Sequence, residues 1–288
     1  MKLIADSGST KTDWVLTENG KVLEEFHTQG INPFHQDESA IEAILREALL
    51  PQLSLAIGQR AKGITLFFYG SGLRDEQKPK IRQVFEKVFS SSASSVSFSV
   101  SHFENDLLGA ARALCGQQEG VACILGTGAN SCLYDGEQIV HNIPPLGYIL
   151  GDEGSGAVLG MLFLNAIFKN PQFANLRDVY LQESGLSLPI IINKVYREPL
   201  ANRFLASTSL FIHQHLDFEP LRQLVVDNFR SFFHCNVLPY QRQDLPVHAV
   251  GSIAYHYQKE LRDAAELEGF RLGNILRSPL DGLLKFHQ

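Results

Sequence analysis

Long apolar runs are missing from this sequence. The longest, Ala157 to Phe168, is too short to span a bilayer and contains Asn165. Near the amino end, Asp6 interrupts the apolar stretch after five residues, unlike the core of a secretory signal. A cytoplasmic protein without a membrane partner is therefore expected. Basic runs are missing as well. The 25 Lys and Arg are scattered among 31 Asp and Glu, for a net charge of −6. That balance argues against nucleic acid as a partner, because a phosphate backbone demands a basic face. Cysteine is scarce: Cys115, Cys123, Cys132 and Cys235 form no CxxC pair and no Cys/His metal spacing. Cys123 and Cys132 fall on the two apolar runs of one hairpin, where a small core residue fits. The ten histidines show no metal spacing either.

With 288 residues, 44% hydrophobic and 19% charged, the chain can bury sizeable cores in one or two domains. Its first hairpin organises the rest. Lys2-Leu3-Ile4-Ala5 reads as a short buried strand and Trp14-Val15-Leu16 as its return, joined by Asp6-Ser7-Gly8-Ser9-Thr10-Lys11-Thr12. Asn19-Gly20 closes a second tight turn, since both residues tolerate positive φ. Backbone N–H groups of such a loop can converge on an anion, with hydroxyls adding donors. Asp6 at the strand end would repel phosphate, but it could hold a water of a Mg²⁺ ion that carries phosphate oxygens. An ordinary polar hairpin is the alternative.

A second copy of the pattern favours the anion loop. Val121 to Leu125 is apolar and ends in Gly126-Thr127-Gly128-Ala129-Asn130; Ser131 to Tyr134 return, and Asp135-Gly136 turns. Two such halves suggest two facing domains with a nucleotide between them. In between, Val22–Thr28 reads as a third strand, broken by Gly30 to Pro33. Asp37–Leu50 reads as a helix stopped by Pro51. Ile64–Tyr69 reads as a fully buried strand ending in Gly70-Ser71-Gly72. A helix over Pro79–Phe89, a connecting loop at Ser90–Ser95 and a strand with Val96, Phe98 and Val100 inward lead to Asp106, with a helix from Leu107. The second half carries a long helical insert over Ser155–Asn236, in which Ile190, Ile191 and Val195 read as core. It ends with a strand at Val247–Val250, a helix to Glu268, a strand at Arg271–Leu276 and a helix from Pro279.

Ligands of open α/β sheets bind off the carboxyl ends of strands, so these strand-end loops could line one cleft. At this point the sequence resembles the actin-like ATPase and sugar kinase superfamily, in particular the N-acetylglucosamine kinase family and its BadF-type relatives. Asp6 to Thr12 is similar to the family's first phosphate motif, and Leu125 to Ser131 to its second. Gly151-Asp152-Glu153-Gly154-Ser155 is the most specific match, and it starts a helix whose N-terminus favours negative groups. His248-Ala249-Val250-Gly251-Ser252 resembles the adenosine motif.

The resemblance implies an α/β protein of two actin-like (ribonuclease H-like) domains, each a mixed sheet flanked by helices. The first would cover residues 1–112 joined by the terminal helix 277–288, and the second 113–276 with its insert at 155–236. It implies ATP and Mg²⁺ as cofactors, with Asp6 holding the metal through water. Asp6, Gly8, Ser9, Thr10 and Lys11 would meet the nucleotide, with Lys11 a mobile charge near phosphate. Gly126, Thr127, Gly128, Gly251 and Ser252 would do so from the second half. Asn32, Ser71, Asp106, Asn130, Gly147 and Asp152 would face a sugar. Asp106 stands either as a helix N-cap, the common use of Asp there, or, by the resemblance, as the catalytic base with Asn105 capping. Where relatives acting on N-acetylglucosamine tend to carry a Trp-containing, glycine-rich segment, this chain has Pro144 to Leu150, which leaves the sugar open. The expected activity is ATP-dependent phosphorylation of a hexose or amino sugar, N-acetylglucosamine or a relative, by a chain whose homodimerisation stays open. Two alternatives use the same fold. A BadF-type activator needs closely placed interface cysteines for a bridging cluster, which these four do not offer. A non-catalytic sugar sensor would normally carry a DNA-binding segment.

Overall fold

Strand β1 (Lys2–Ser7) is central because Leu3, Ile4 and Ala5 are all apolar and all buried, so both faces of the strand must be covered. It pairs antiparallel with β2 (Lys11–Glu18), which pairs antiparallel with β3 (Lys21–Gln29). The chain is described by a computed structural model for residues 1–8, 10–58, 63–90 and 96–288, and Ser9 and most of the Ser90–Ser95 loop lie outside those described residues. Helix α1 (Glu38–Ala43) is capped by the Asp37 carboxylate and passes through a π turn, Ile44–Leu49, into α2 (Leu50–Ile57). Pro51 therefore does not stop the helix. The bonding widens where the Leu50 N–H meets Leu45 O, and Pro51, with no N–H to offer, falls within the first two positions of the new register.

Strand β4 (Ile64–Gly70) then enters parallel to β1, followed by α3 (Lys78–Phe89), β5 (Phe98–Asn105) and α4 (Asp106–Cys115). The sheet order is β3-β2-β1-β4-β5. The outermost strand β5 departs from the expected alternation. Ile64 faces Phe98 but Thr65 faces Val100, so Ser99 is an extra residue and Val100 turns outward to solvent. Trp14, Phe68, Phe85 and Phe103 pack as tilted and edge-on aromatic pairs in the core beneath, and the Trp14 indole N–H donates to Thr28 Oγ1 at 3.0 Å. Each such fully buried side chain contributes about 1.5–3 kcal/mol.

The terminal helix Leu280–Phe286 belongs to this first unit, which comprises Met1–Gly116 and Pro279–Gln288. It crosses α4 closely: a methyl group on Gly282 would stand 2.3 Å from the Ala113 carbonyl oxygen. Beyond the helix, His287 stacks on Phe67 (ring centroids 3.8 Å apart), its Nε2 meets Tyr69 Oη at 2.8 Å, and Lys2 reaches its carbonyl. Burial, reinforced by the charges of Arg112, Lys2 and His102, pushes the imidazole down to about 4. In the unfolded chain it would hold its proton up to the ordinary 6.5. Docking stabilised by the neutral ring is thus fully present above about pH 6.5 and lost as the pH falls toward 4. Hydrogen exchange across 280–288, corrected for intrinsic rates, is expected to be faster at pH 5 than at pH 7.5. Equal protection at both would overturn this.

The second unit, Gln117–Ser278, repeats the plan. Strands β6 (Gly120–Leu125), β7 (Ala129–Tyr134) and β8 (Ile139–Ile143) form an antiparallel meander. A helical insert follows: α5 (Gly156–Lys169), α6 (Ala174–Ser184), α7 (Leu188–Tyr196), α8 (Ala201–Ser207), α9 (Ser209–Gln214) and α10 (Glu219–Phe232). Strand β9 (Val247–Val250) returns parallel to β6, helices α11 (Ser252–His256) and α12 (Gln258–Leu267) follow, and β10 (Leu272–Leu276) completes the order β10-β9-β6-β7-β8. Cys123 and Cys132 are buried in this sheet as unbridged thiols. On α7 only part of the expected stripe is core: Ile191 is buried and Val195 partly so, while Ile190 is exposed. No helix among the described residues is long and apolar enough to cross a membrane.

Candidate active site

In the first unit the hairpin closes through Gly8 N–H to Lys11 O at 2.9 Å, leaving Thr10 exposed at the turn. The hairpin register places Asp13 directly opposite Asp6. Asp13 is clamped at 2.7 Å by both the Lys11 ammonium and His27 Nδ1, so Lys11 is engaged with a carboxylate of its own strand. The Asp6 carboxyl is pushed up to about 7, first by burial, then by the charges of Asp106 and Asp13, with Lys11 opposing. Asp13 was legible only through this register, counted back from the turn.

Asp106 opens α4, but the cap is its neighbour: Asn105 Oδ1 accepts the Leu108 N–H at 2.7 Å. The Asp106 carboxyl is raised by burial, against hydrogen bonds from the Ser71 hydroxyl and from the N–H groups of Leu107 and Asp106. Asn32 is buried beside the same loop, so near that a methyl group on Gly72 would overlap its Oδ1. Its segment is held by Ser7, whose Oγ accepts the Ile31 N–H at 3.0 Å, and by Gln36, whose Oε1 accepts the Asn32 N–H at 2.8 Å. Asp6, Ser71, Asp106 and Asn32 therefore lie at or just beyond the carboxyl ends of β1, β4, β5 and β3, four strands that run in the same direction.

In the second unit Gly126 N–H donates to Gly128 O at 3.0 Å, and Thr127 is exposed at the tip. The first N–H groups of α5 are not open to an anion, contrary to expectation. Gly156 donates to Gly126 O (2.8 Å), Ala157 to Thr127 O (3.1 Å) and Val158 to Ser155 Oγ (3.1 Å). The helix start thus anchors the loop rather than binding a ligand. Gly251, at φ +124°, packs against the same strand end; a side chain there would run into Leu125 O. Ser252 is exposed just beyond it.

Asp152 gathers the remaining residues. Its carboxylate accepts the N–H groups of Ala129 and Gly147, while burial and Glu153 raise its pKa. A methyl group on Gly128 would stand 3.0 Å from Asp152 Oδ2. Asn130 Oδ1 accepts the Ser131 N–H at 2.9 Å and the Asn142 amide at 3.0 Å, a partner that no sequence pattern signals.

These contacts separate two glycines. A methyl group on Gly126 meets nothing within 4 Å, so Gly126→Ala is expected to leave the melting temperature near wild type. If phosphate approaches this backbone, the added methyl group stands in its way and nucleotide affinity falls by about tenfold or more, an effect the size of one lost charge-assisted hydrogen bond. Calorimetric titration with ATP checks it; unchanged affinity removes this loop from the nucleotide site. Gly128→Ala would additionally press on Asp152.

The acidic groups of the first unit also fit a hard cation. Asp6 and Asp106 are both held above their ordinary range by burial, and Asp6 also by the charges of Asp106 and Asp13, a state that a divalent ion relieves. No group of three or more His, Cys, Asp or Glu among the described residues forms a protein cage. Mg²⁺ keeps most of its waters and takes one or two carboxylates together with phosphate, so it needs no such cage.

Twice over, a five-stranded mixed sheet begins with an antiparallel meander and presents a small-residue hairpin loop at its first strand's end. This is the architecture of the actin-like ATPases. Among solved structures, a protein of Porphyromonas gingivalis provisionally named an N-acetylglucosamine kinase is 46% identical, with a TM-score of 0.93 over 100% of this chain and 98% of that one. The chain belongs to the N-acetylglucosamine kinase family, with its BadF-type relatives, of the actin-like ATPase and sugar kinase superfamily. A Chromobacterium violaceum protein with the same provisional name is 20% identical (TM-score 0.69, 100% and 98% covered) and shows the shared fold. So does a ROK family glucokinase from Streptomyces griseus, solved with glucose and AMPPNP, at 16% identity (TM-score 0.54, 99% and 97% covered). No protein-family model and no curated protein matches the chain.

Proposed function

We propose that this protein transfers the γ-phosphoryl group of ATP to a hydroxyl of a hexose or amino sugar, N-acetylglucosamine or a close relative. The observation that carries the reading is Asp106: a partly buried carboxyl, fixed by Ser71, freed from capping by Asn105 and held at a raised pKa. A raised pKa makes its carboxylate a stronger base than a surface aspartate. In the reaction the sugar oxygen bonds to the γ-phosphorus as the bond from phosphorus to the β,γ-bridging oxygen breaks. The hydroxyl proton goes to Asp106 and the leaving electrons to ADP. Asp152, Asn130, Asn32 and Gly147 orient the sugar, while the loops at Gly8–Lys11 and Gly126–Gly128 take phosphate oxygens. Mg²⁺, held beside Asp6 through water, would supply charge neutralisation on the phosphates. Positioning and electrostatics then provide the rate enhancement. Under this reading the enzyme draws on ATP and acts in the cytoplasm.

The cysteines do not favour the activator reading. Burial pushes the Cys115 thiol up to about 12, burial and Glu153 raise Cys235, and Cys123 and Cys132 lie in a core sheet. A coupled ADP-release screen over hexoses, hexosamines, N-acetylated sugars and muramic derivatives tests the proposal. Sugar-dependent ADP release that Asp106→Asn removes is expected; no sugar-dependent release from any of them would sink it.

A further inference from the structure

Helix α10 breaks its own pattern. It buries Leu221, Val225, Val226, Phe229 and Phe232 against the second unit's core, and among them it buries an amide, Asn228, at 2% exposure. A buried amide in an apolar stripe costs stability unless its hydrogen bonds are met elsewhere. Here they are met by the Gly151–Ser155 turn: Asn228 Oδ1 accepts the Gly154 N–H at 3.0 Å, and its Nδ2 reaches Ser155 O at 3.5 Å. The turn needs the help. Asp152 holds a positive φ of +54°, which a side chain rarely adopts, and Gly154 follows at +78°. Ser155 N–H closes the turn on Asp152 O at 3.0 Å.

We infer that Asn228 is a positioning residue that holds Asp152 in its left-handed conformation from a helix 76 residues further on in the chain. The two ends of Asp152 are then fixed separately. Ala129 and Gly147 hold its carboxylate, and Asn228 holds the backbone two residues beyond it. Without the Oδ1 acceptor the Gly154 N–H is stranded, the turn relaxes, and the carboxylate loses the direction in which it would meet a sugar hydroxyl. The catalytic consequence rests on the sugar kinase reading; the conformational one does not.

The test uses Asn228→Leu, which keeps the shape and removes the acceptor, and Asn228→Asp, which keeps an acceptor oxygen. Two readouts are taken on the full-length protein: amide exchange across 151–155, and KM for the sugar against KM for ATP. Asn228→Leu is expected to speed exchange at Gly154 by about tenfold or more, as one buried hydrogen bond is lost. It should raise the sugar KM by a similar factor and leave the ATP KM within about twofold, and Asn228→Asp should recover most of both effects. Unchanged exchange in a folded Asn228→Leu protein overturns the inference, as does a parallel rise of both KM values. Should Asn228→Leu not fold, Asn228→Ala goes through the same readouts, and failure of both to fold assigns the residue a purely structural role. If no sugar is turned over by wild type, the kinase reading fails while the exchange result still decides the role of Asn228.

Discussion

Asp106→Asn is expected to lower kcat by about 10²–10⁴-fold, the usual contribution of a general base. The amide matches the carboxylate in size and can still accept from Ser71, but it cannot take the sugar proton. Stability should hardly change, because the helix cap is the neighbouring Asn105 and not Asp106. Removing a partly buried negative charge near Asp6 also relieves repulsion, so the melting temperature should stay level or rise. Asn105→Ala makes the converse control. It should cost about 1 kcal/mol of stability as a lost cap and leave the proton acceptor in place. Measuring kcat, ATP affinity and melting temperature on the two variants separates the roles. A fully active Asp106→Asn enzyme would remove the assigned base.

Asp6→Asn should lower kcat/KM for ATP by about 10²-fold or more, comparable to losing one aligned electrostatic group at a reacting centre. The same change should stabilise the protein when divalent cations are absent. In the folded state the carboxyl keeps its proton to about pH 7, whereas the unfolded chain releases it near 3.8. Folding stability contributed by the protonated group therefore falls as the pH rises through that window and is lowest above 7. Asn carries no such penalty. The variant should melt higher than wild type at pH 8 and equal to it near pH 4, and Mg²⁺ with nucleotide should narrow the gap by binding the wild type alone. A lower melting temperature for Asp6→Asn at pH 8 in chelator would show that the carboxylate is stabilised by partners other than a bound cation.

Much of this molecule can be read from its residues in order. Strand identities follow from short apolar runs with small-residue loops at their ends, and the doubled pattern at Asp6–Thr12 and Gly126–Asn130 announces two similar sheets. Local chemistry is equally plain at Asn105-Asp106, where either residue could cap and only one does. Other features are local in sequence yet fold differently from what their local pattern predicts. Pro51 looks like a helix stop because its missing N–H is costly in an α register, but a π turn before it shifts the register. Val100 looks inward by alternation, but a single extra residue, Ser99, turns it out.

What the sequence determined by itself is the class of loops, the strands that carry them and the family, since these depend on residues adjacent in the chain. Only the tertiary structure decided which groups share an environment. Asp13 reaches Asp6 through hairpin register, Ser71 reaches Asp106 across neighbouring parallel strands, and Asn142 and Asn228 reach their partners from other elements. The N-terminus of α5 shows the same division: its sequence invites an anion, but its first N–H groups are taken by the carbonyls of Gly126 and Thr127. Backbone donors and acceptors must be satisfied wherever they are buried, and which partner satisfies them is set by packing between distant segments, not by neighbours along the chain.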